Sequence, residues 1–132
     1  MMAVLIDTVA WVRLEGGRIL CARPRGKDEF YIPGGKREGA ETDLQTLVRE
    51  VAEELTVALR PETVAHVGTY HAETRPGGAT VRMACYTAEY TGTLAASSEI
   101  EDVDWFGYAD RDRVPPVDQL LFDDLHRDGH LR

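Results

Sequence analysis

The stretch GKREGAETDLQTLVREVAEELTV, residues 35–57, decides the fold. It opens as a glycine-bearing loop and continues as a helix. Thr42-Asp43-Leu44-Gln45 fits a capping box, in which Thr42 and Gln45 satisfy the first free backbone N–H groups. With Leu44 set at 0° and about 100° per residue, Leu47, Val48, Val51 and Leu55 fall at roughly 300°, 40°, 340° and 20°. These residues make one apolar stripe that must pack on a sheet. On the same wheel Glu53, Glu50 and Glu54 lie at roughly 180°, 240° and 280°.

Three carboxylates at spacings i, i+3 and i+4 repel, each pair by about 0.2–0.5 kcal/mol on an exposed helix. A purely structural helix would more cheaply alternate Glu with Lys; for three glutamates alone, a solvated acidic face softened by Arg49 is still the plainer reading. The functional reading is a hard-cation site. Carboxylate oxygens suit Mg²⁺ or Mn²⁺, and no His/Cys set with zinc-ligand spacing is present. Magnesium takes its remaining ligands from waters and substrate phosphates.

Outward from this helix, Ala3 to Leu14 reads as a strand, Gly16-Gly17 as a turn, and Arg18 to Ala22 as a second strand. Phe30-Tyr31-Ile32 is a short strand stopped by Pro33-Gly34-Gly35, from which a loop runs to Glu41. Two further β-rich runs, Thr63 to Thr74 and Thr80 to Tyr90, are joined by Arg75-Pro76-Gly77-Gly78. A short strand is predicted at Val103 to Phe106. A last helix is predicted after Pro115-Pro116, with Val117, Leu120, Leu121 and Leu125 at helical spacing. No repeat or linker interrupts the pattern, so residues 1–132 are expected to form a single α+β domain.

The 132 residues are 43% apolar and 29% charged, an ordinary globular composition. A formal net charge of −8 opposes binding to a polynucleotide backbone but leaves open a small phosphorylated ligand held through cations. The apolar runs are strand-length, far short of the roughly 20 residues of a membrane span. The start has neither a basic region nor a long apolar run, so no secretion signal is expected. Cys21 and Cys85 sit in apolar, strand-like surroundings and are expected as buried thiols, which fits a cytoplasmic location.

Read in full, the 35–57 stretch runs Gly35, five residues, Glu41, seven residues, Arg49-Glu50-Val51, Ala52, Glu53-Glu54, Leu55, Thr56, Val57. This resembles the Nudix box, G-x5-E-x7-R-E-U-x-E-E-x-G-U with U a bulky aliphatic residue. Every defined position matches except the last glycine, which is Thr56. Tyr31-Ile32-Pro33-Gly34 also looks like the family's usual approach to the box. A glycine at position 56 would end the helix in a left-handed conformation, which is costly for a β-branched residue. Thr56 is therefore expected at negative φ.

The resemblance implies a three-layer α/β/α sandwich around a mixed sheet, often homodimeric, that hydrolyses a nucleoside diphosphate linked to another group. It implies Glu50 and Glu54 as ligands for Mg²⁺ or Mn²⁺, with Glu53 a third ligand or a base acting on water. Gly34 or Gly35 would contribute a backbone carbonyl. Arg49, partnered by Glu41, would orient the carboxylates. Many members use a glutamate outside the box, for which Glu99 and Glu101 are candidates and Glu99 is preferred by its position before Trp105. Arg23, Arg25, Lys27, Lys36 and Arg37 flank the Pro-Gly-Gly loop and are placed to meet substrate phosphates, with Arg23 and Lys36 the chosen candidates. Tyr31 or Phe30 is open to base stacking or to a core role.

Within the resemblance, the size of the chain favours the MutT-like branch acting on (deoxy)nucleoside triphosphates, with ADP-ribose and nucleotide sugars as alternatives. Two rivals differ in kind. Isoprenoid diphosphate isomerisation would need a cysteine and a glutamate placed at carbon, and neither cysteine gives that hint. A nucleotide-sensing module would show an eroded box, whereas every carboxylate of the box is present.

Overall fold

The computed structural model describes residues 4–132, so the expected strand start at Ala3 lies outside the described residues. The Val/Ile/Thr-rich opening forms strand β1 (Leu5–Trp11). The single strand expected to run to Leu14 is divided: β1 joins one sheet, and only β2 (Leu14–Glu15) pairs with β3 (Arg18–Pro24), in a short hairpin at the expected turn. Gly16 and Gly17 at its tip have φ of +59° and +80°, values that glycine adopts without steric penalty.

The next strand is not where the sequence suggested. Phe30–Ile32 contributes only an isolated bridge between Tyr31 and Ala22, and the ladder forms in the expected loop, as β4 (Gly34–Lys36) antiparallel to β1. Glycine makes this possible. Gly34 has φ +147°, and a Cβ there would lie 2.0 Å from the Val9 carbonyl oxygen.

Helix α1 (Asp43–Leu55) follows, with both capping-box hydrogen bonds made between Thr42 and Gln45. After it come β5 (Ala58–Leu59), a 3-10 turn at Pro61–Thr63, β6 (Ala65–Glu73), β7 (Thr80–Thr87) and β8 (Tyr90–Thr91). The chain finishes with β9 (Ile100–Phe106), a second 3-10 stretch at Tyr108–Arg113, and helix α2 (Pro116–Arg127). The main sheet has the order β4-β1-β7-β6, in which β1 and β7 are parallel and the other pairs antiparallel. A second sheet has the order β2-β3-β9, and β5 pairs with β8.

Alternation along β1 divides the core between two faces. Val9 and Trp11 pack with Leu47, Val51 and Leu55 of α1. Ala10 and Val12 pack with Leu121, Phe122 and Leu125 of α2. A mixed sheet thus lies between helices, the α/β/α arrangement expected. Cys21 and Cys85 are buried free thiols, also as expected.

Helix α1 is rotated from its predicted setting. Leu44, the reference of the predicted stripe, is 37% exposed, while Thr46 and Glu54 are buried beside Leu47, Val51 and Leu55. The buried arc is therefore centred near roughly 300°, and it takes in Glu54 at roughly 280°. One glutamate of the cluster sits inside the packed face rather than on its flank.

Thr56 also departs from expectation, with φ 62° and ψ 24° in the left-handed region. The Thr56 N–H makes the last i→i−4 bond of the helix, to the Ala52 carbonyl (3.1 Å), and the Thr56 hydroxyl donates to the Thr93 carbonyl (2.9 Å). The hydroxyl bond offsets part of the strain, which is about 1–2 kcal/mol for an L-residue. The reversal returns Val57 and Leu59 to the core.

Candidate active site

Glu54 is only 6% exposed. Its Oε1 accepts the Gly34 backbone N–H at 3.1 Å, joining α1 to β4. Burial pushes its carboxyl up to about 8, opposed by the Gly34 bond and reinforced by the charges of Glu50, Glu99 and Glu53. Glu50, one turn earlier, lies against Gly35. A Cβ at Gly35 would come within 2.4 Å of the Glu50 carboxyl carbon, so glycine alone admits this approach. Burial raises the Glu50 carboxyl as well, against the pull of Arg49. Glu53 is exposed, its Oε1 3.6 Å from Arg49.

Arg49 organises the cluster. Its Nε and NH2 each donate to one oxygen of Glu41 at 2.8 Å, NH1 donates to Glu50 Oε1 at 2.9 Å, and NH2 reaches the Lys36 carbonyl at 3.3 Å. A bidentate charged fork of this kind fixes orientation as well as adding energy. Glu41 further accepts the Glu38 amide and the Thr46 hydroxyl. The Arg49 bonds, aided by these, hold its carboxyl down to about 2.

Glu54 opens onto a cavity of about 520 Å³, whose lining includes Gly34, Gly35, Lys36 and Glu99. The loop before β9 therefore brings Glu99 to the same cavity as Glu54. Glu101 pairs instead with Arg23, at 3.6 Å. Arg23 turns away from the cavity lining, its NH1 donating to the Lys27 carbonyl at 3.0 Å, and Lys27 lines the cavity in its place. Phe30 is core and packs on Phe106, whereas Tyr31 is half-buried in the cavity wall. The Tyr31 hydroxyl donates to Glu29 at 3.0 Å.

Sequence reading missed Asp118. This residue, on the first turn of α2, is 3% exposed, lines the cavity, and accepts the Ile32 N–H at 2.9 Å. Burial pushes its carboxyl up to about 7. A signal was present in the sequence. Asp118, Leu121, Phe122 and Leu125 share the i, i+3, i+4, i+7 stripe, so a carboxylate occupies an apolar position.

As the side chains stand, no three carboxylate, imidazole or thiol groups among the described residues converge tightly enough to hold an ion alone. The donor set nevertheless fits magnesium or manganese in kind. Such ions take one or two carboxylates, waters and substrate phosphates, and Glu50 and Glu54 face the glycine backbone of β4 beside the cavity. No helix among the described residues is long and apolar enough to cross a membrane.

A family model described as NUDIX domain matches residues 5–125. The solution structure of the E. coli ORF135 protein superposes with a TM-score of 0.74 and 28% identity, over 96% of this chain and 94% of that one. A MutT protein from Methanosarcina mazei Go1 gives 0.74 at 19% identity, over 97% of each chain. A MutT NUDIX hydrolase from Burkholderia pseudomallei gives 0.68 at 21%, over 80% and 84%. In sequence, 54 residues are 44% identical to an RNA pyrophosphohydrolase of Halorhodospira halophila. That match spans 41% of this chain and only 29% of the relative's length.

Proposed function

The chain belongs to the NUDIX domain family, and from that premise we propose a divalent-metal-dependent hydrolase that cleaves a phosphoanhydride bond of a nucleoside diphosphate linked to another group, with (deoxy)nucleoside triphosphates favoured. The observation that carries this reading is the placement of Glu50 and Glu54 against the glycines of β4, beside a cavity of about 520 Å³.

Glu50 and Glu54 would hold Mg²⁺ or Mn²⁺, with Glu53 and a carbonyl of Gly34 or Gly35 completing the protein's share. When bound, such an ion neutralises phosphate oxygens and acidifies a water. Arg49 keeps the Glu50 carboxylate aimed, and Glu41 keeps Arg49 aimed. Glu53 and Glu99, both exposed, are placed to accept a proton from water. Lys36 meets the phosphates. The nucleoside takes the part of the cavity lined by Tyr31 and Asp118, where an aromatic face and a recessed acceptor suit a base carrying N–H donors.

The partial likeness to an RNA pyrophosphohydrolase supports a second substrate, the 5′-triphosphate end of RNA. A panel of nucleoside triphosphates, nucleotide sugars, ADP-ribose, dinucleoside polyphosphates and triphosphate-ended RNA, assayed for phosphate or pyrophosphate release with and without Mg²⁺ or Mn²⁺, separates these. Metal-dependent cleavage of free triphosphates supports the favoured reading. Turnover of RNA alone selects the second, and no turnover of any member rejects both.

A further inference from the structure

The loop between β4 and α1 is tied down by a closed ring of charges that the site described above does not use. Arg37 extends the β4–β1 ladder by one rung, its N–H donating to the Asp7 carbonyl at 3.3 Å. Its side chain then turns back across the junction. Nε donates to Asp7 Oδ2 at 3.2 Å, NH1 to the Glu41 carbonyl at 3.0 Å, and NH2 to Asp43 Oδ1. Strand β7 closes the ring, with Arg82 donating to Asp7 Oδ1 at 3.0 Å and the Tyr86 hydroxyl donating to Asp43 Oδ2.

Both carboxylates thus use both oxygens, one of them on Arg37. Two cations balance two anions. Asp43 is the first residue of α1, where a negative charge also meets the positive end of the helix dipole. The ring fixes where α1 starts relative to β1 and β7, on the sheet face that α1 covers. Arg49 supplies the next tie, from mid-helix to Glu41 and the Lys36 carbonyl. Past these two ties, Gly35 and Gly34 of β4 face the carboxylates of Glu50 and Glu54 of α1. A gap of that kind tolerates little error, because magnesium demands near-ideal octahedral geometry.

We propose that Arg37 is a positioning residue that sets the separation between β4 and the glutamates of α1, and so tunes metal affinity without touching metal or substrate. The inference rests on the metal reading given under Proposed function.

The test compares wild type, Arg37→Ala and Arg37→Lys in Mn²⁺ titrations read by electron paramagnetic resonance of the free ion, with thermal unfolding in parallel. Arg37→Ala is expected to raise half-saturating Mn²⁺ about tenfold, the scale of losing a group that orients metal ligands. Saturating Mn²⁺ is expected to restore kcat, with the nucleotide KM within about twofold of wild type. Lysine keeps the charge without the fork and is expected to recover part of the affinity.

A lower unfolding temperature with unchanged half-saturation overturns the inference and leaves the metal reading standing. Failure of the wild type to bind Mn²⁺ sinks both. If Arg37→Ala does not fold, Asp7→Asn takes its place, with a smaller rise expected and no rise contradicting the claim.

Discussion

Glu54 and Asp118, on different helices, each accept one backbone N–H of the same short segment, Glu54 from Gly34 and Asp118 from Ile32. The two donors lie two residues apart along the chain, and both acceptors line the same cavity. Neither carboxylate has a cationic partner within salt-bridge distance among the described residues, and burial raises both. A fold that retains two recessed acceptors beside one cavity loses stability by doing so. In the present account the return is a metal ligand in Glu54 and a base-facing acceptor in Asp118.

Asp118 gives a pH prediction. Its folded carboxyl is raised to about 7 from an ordinary 3.8, so the native state binds the extra proton. The associated stability is fully present below about pH 4 and is lost as pH rises through about 7. Asp118→Asn keeps an oxygen for the Ile32 N–H and cannot ionise. It is expected to unfold at higher denaturant than wild type at pH 8, by more than about 1 kcal/mol, with the difference shrinking toward pH 4. Chemical denaturation at several pH values measures this, and a pH-independent difference would contradict it. The same variant is expected to alter the ranking of nucleobases by kcat/KM.

Glu54→Gln keeps the shape and the acceptor for Gly34 but removes the charge. Turnover is expected to fall about a hundredfold or more, the scale of losing a metal-binding carboxylate. Circular dichroism should stay that of wild type. Near-normal activity in this variant would remove Glu54 from the proposed ligand set.

The fork between Arg49 and Glu41 is expected to act through orientation. Glu41→Gln should lower kcat about tenfold while leaving the nucleotide KM within about twofold. Its effect on stability should also follow pH. The folded Glu41 carboxyl is depressed to about 2 from an ordinary 4.5, so the wild type's advantage is present above about pH 4.5 and fades as pH falls toward 2. A KM effect with unchanged kcat would place Glu41 in substrate binding instead.

Much of this was legible in the sequence, and the exceptions have physical causes. The capping box, the turn at Gly16-Gly17 and helix α2 follow from local chemistry, and each formed as expected, although the strand leading into the turn is split between two sheets. Strand β4 did not read as a strand because its pairing depends on Gly34 adopting φ +147° against Val9, a tertiary contact that no propensity records. Helix α1 is rotated because Leu44 lies in the first turn, outside the contact with the sheet, while Glu54 faces the Gly34 amide. Asp118 escaped notice because its neighbours looked like an ordinary apolar stripe. Lys27 displaced Arg23 in the cavity lining because Arg23 is occupied by Glu101 and the Lys27 carbonyl.

Thr56 separates strain from bonding. Thr56→Ala keeps the left-handed conformation of an L-residue and loses the hydroxyl bond to Thr93. Thr56→Gly loses the bond but removes the strain. The glycine variant is expected to be more stable than the alanine variant by about 1 kcal/mol. Paired thermal or urea unfolding measures the difference. Equal stabilities would mean that the left-handed turn is not maintained in solution.

The most direct measurement of the metal assignment is anomalous diffraction from crystals soaked in Mn²⁺ with a non-hydrolysable nucleoside triphosphate. The account predicts a manganese peak between the Glu50 and Glu54 carboxylates and the glycine backbone of β4, with phosphate oxygens completing its shell. Density for the nucleotide with no peak there, or a peak held by other side chains, would contradict it.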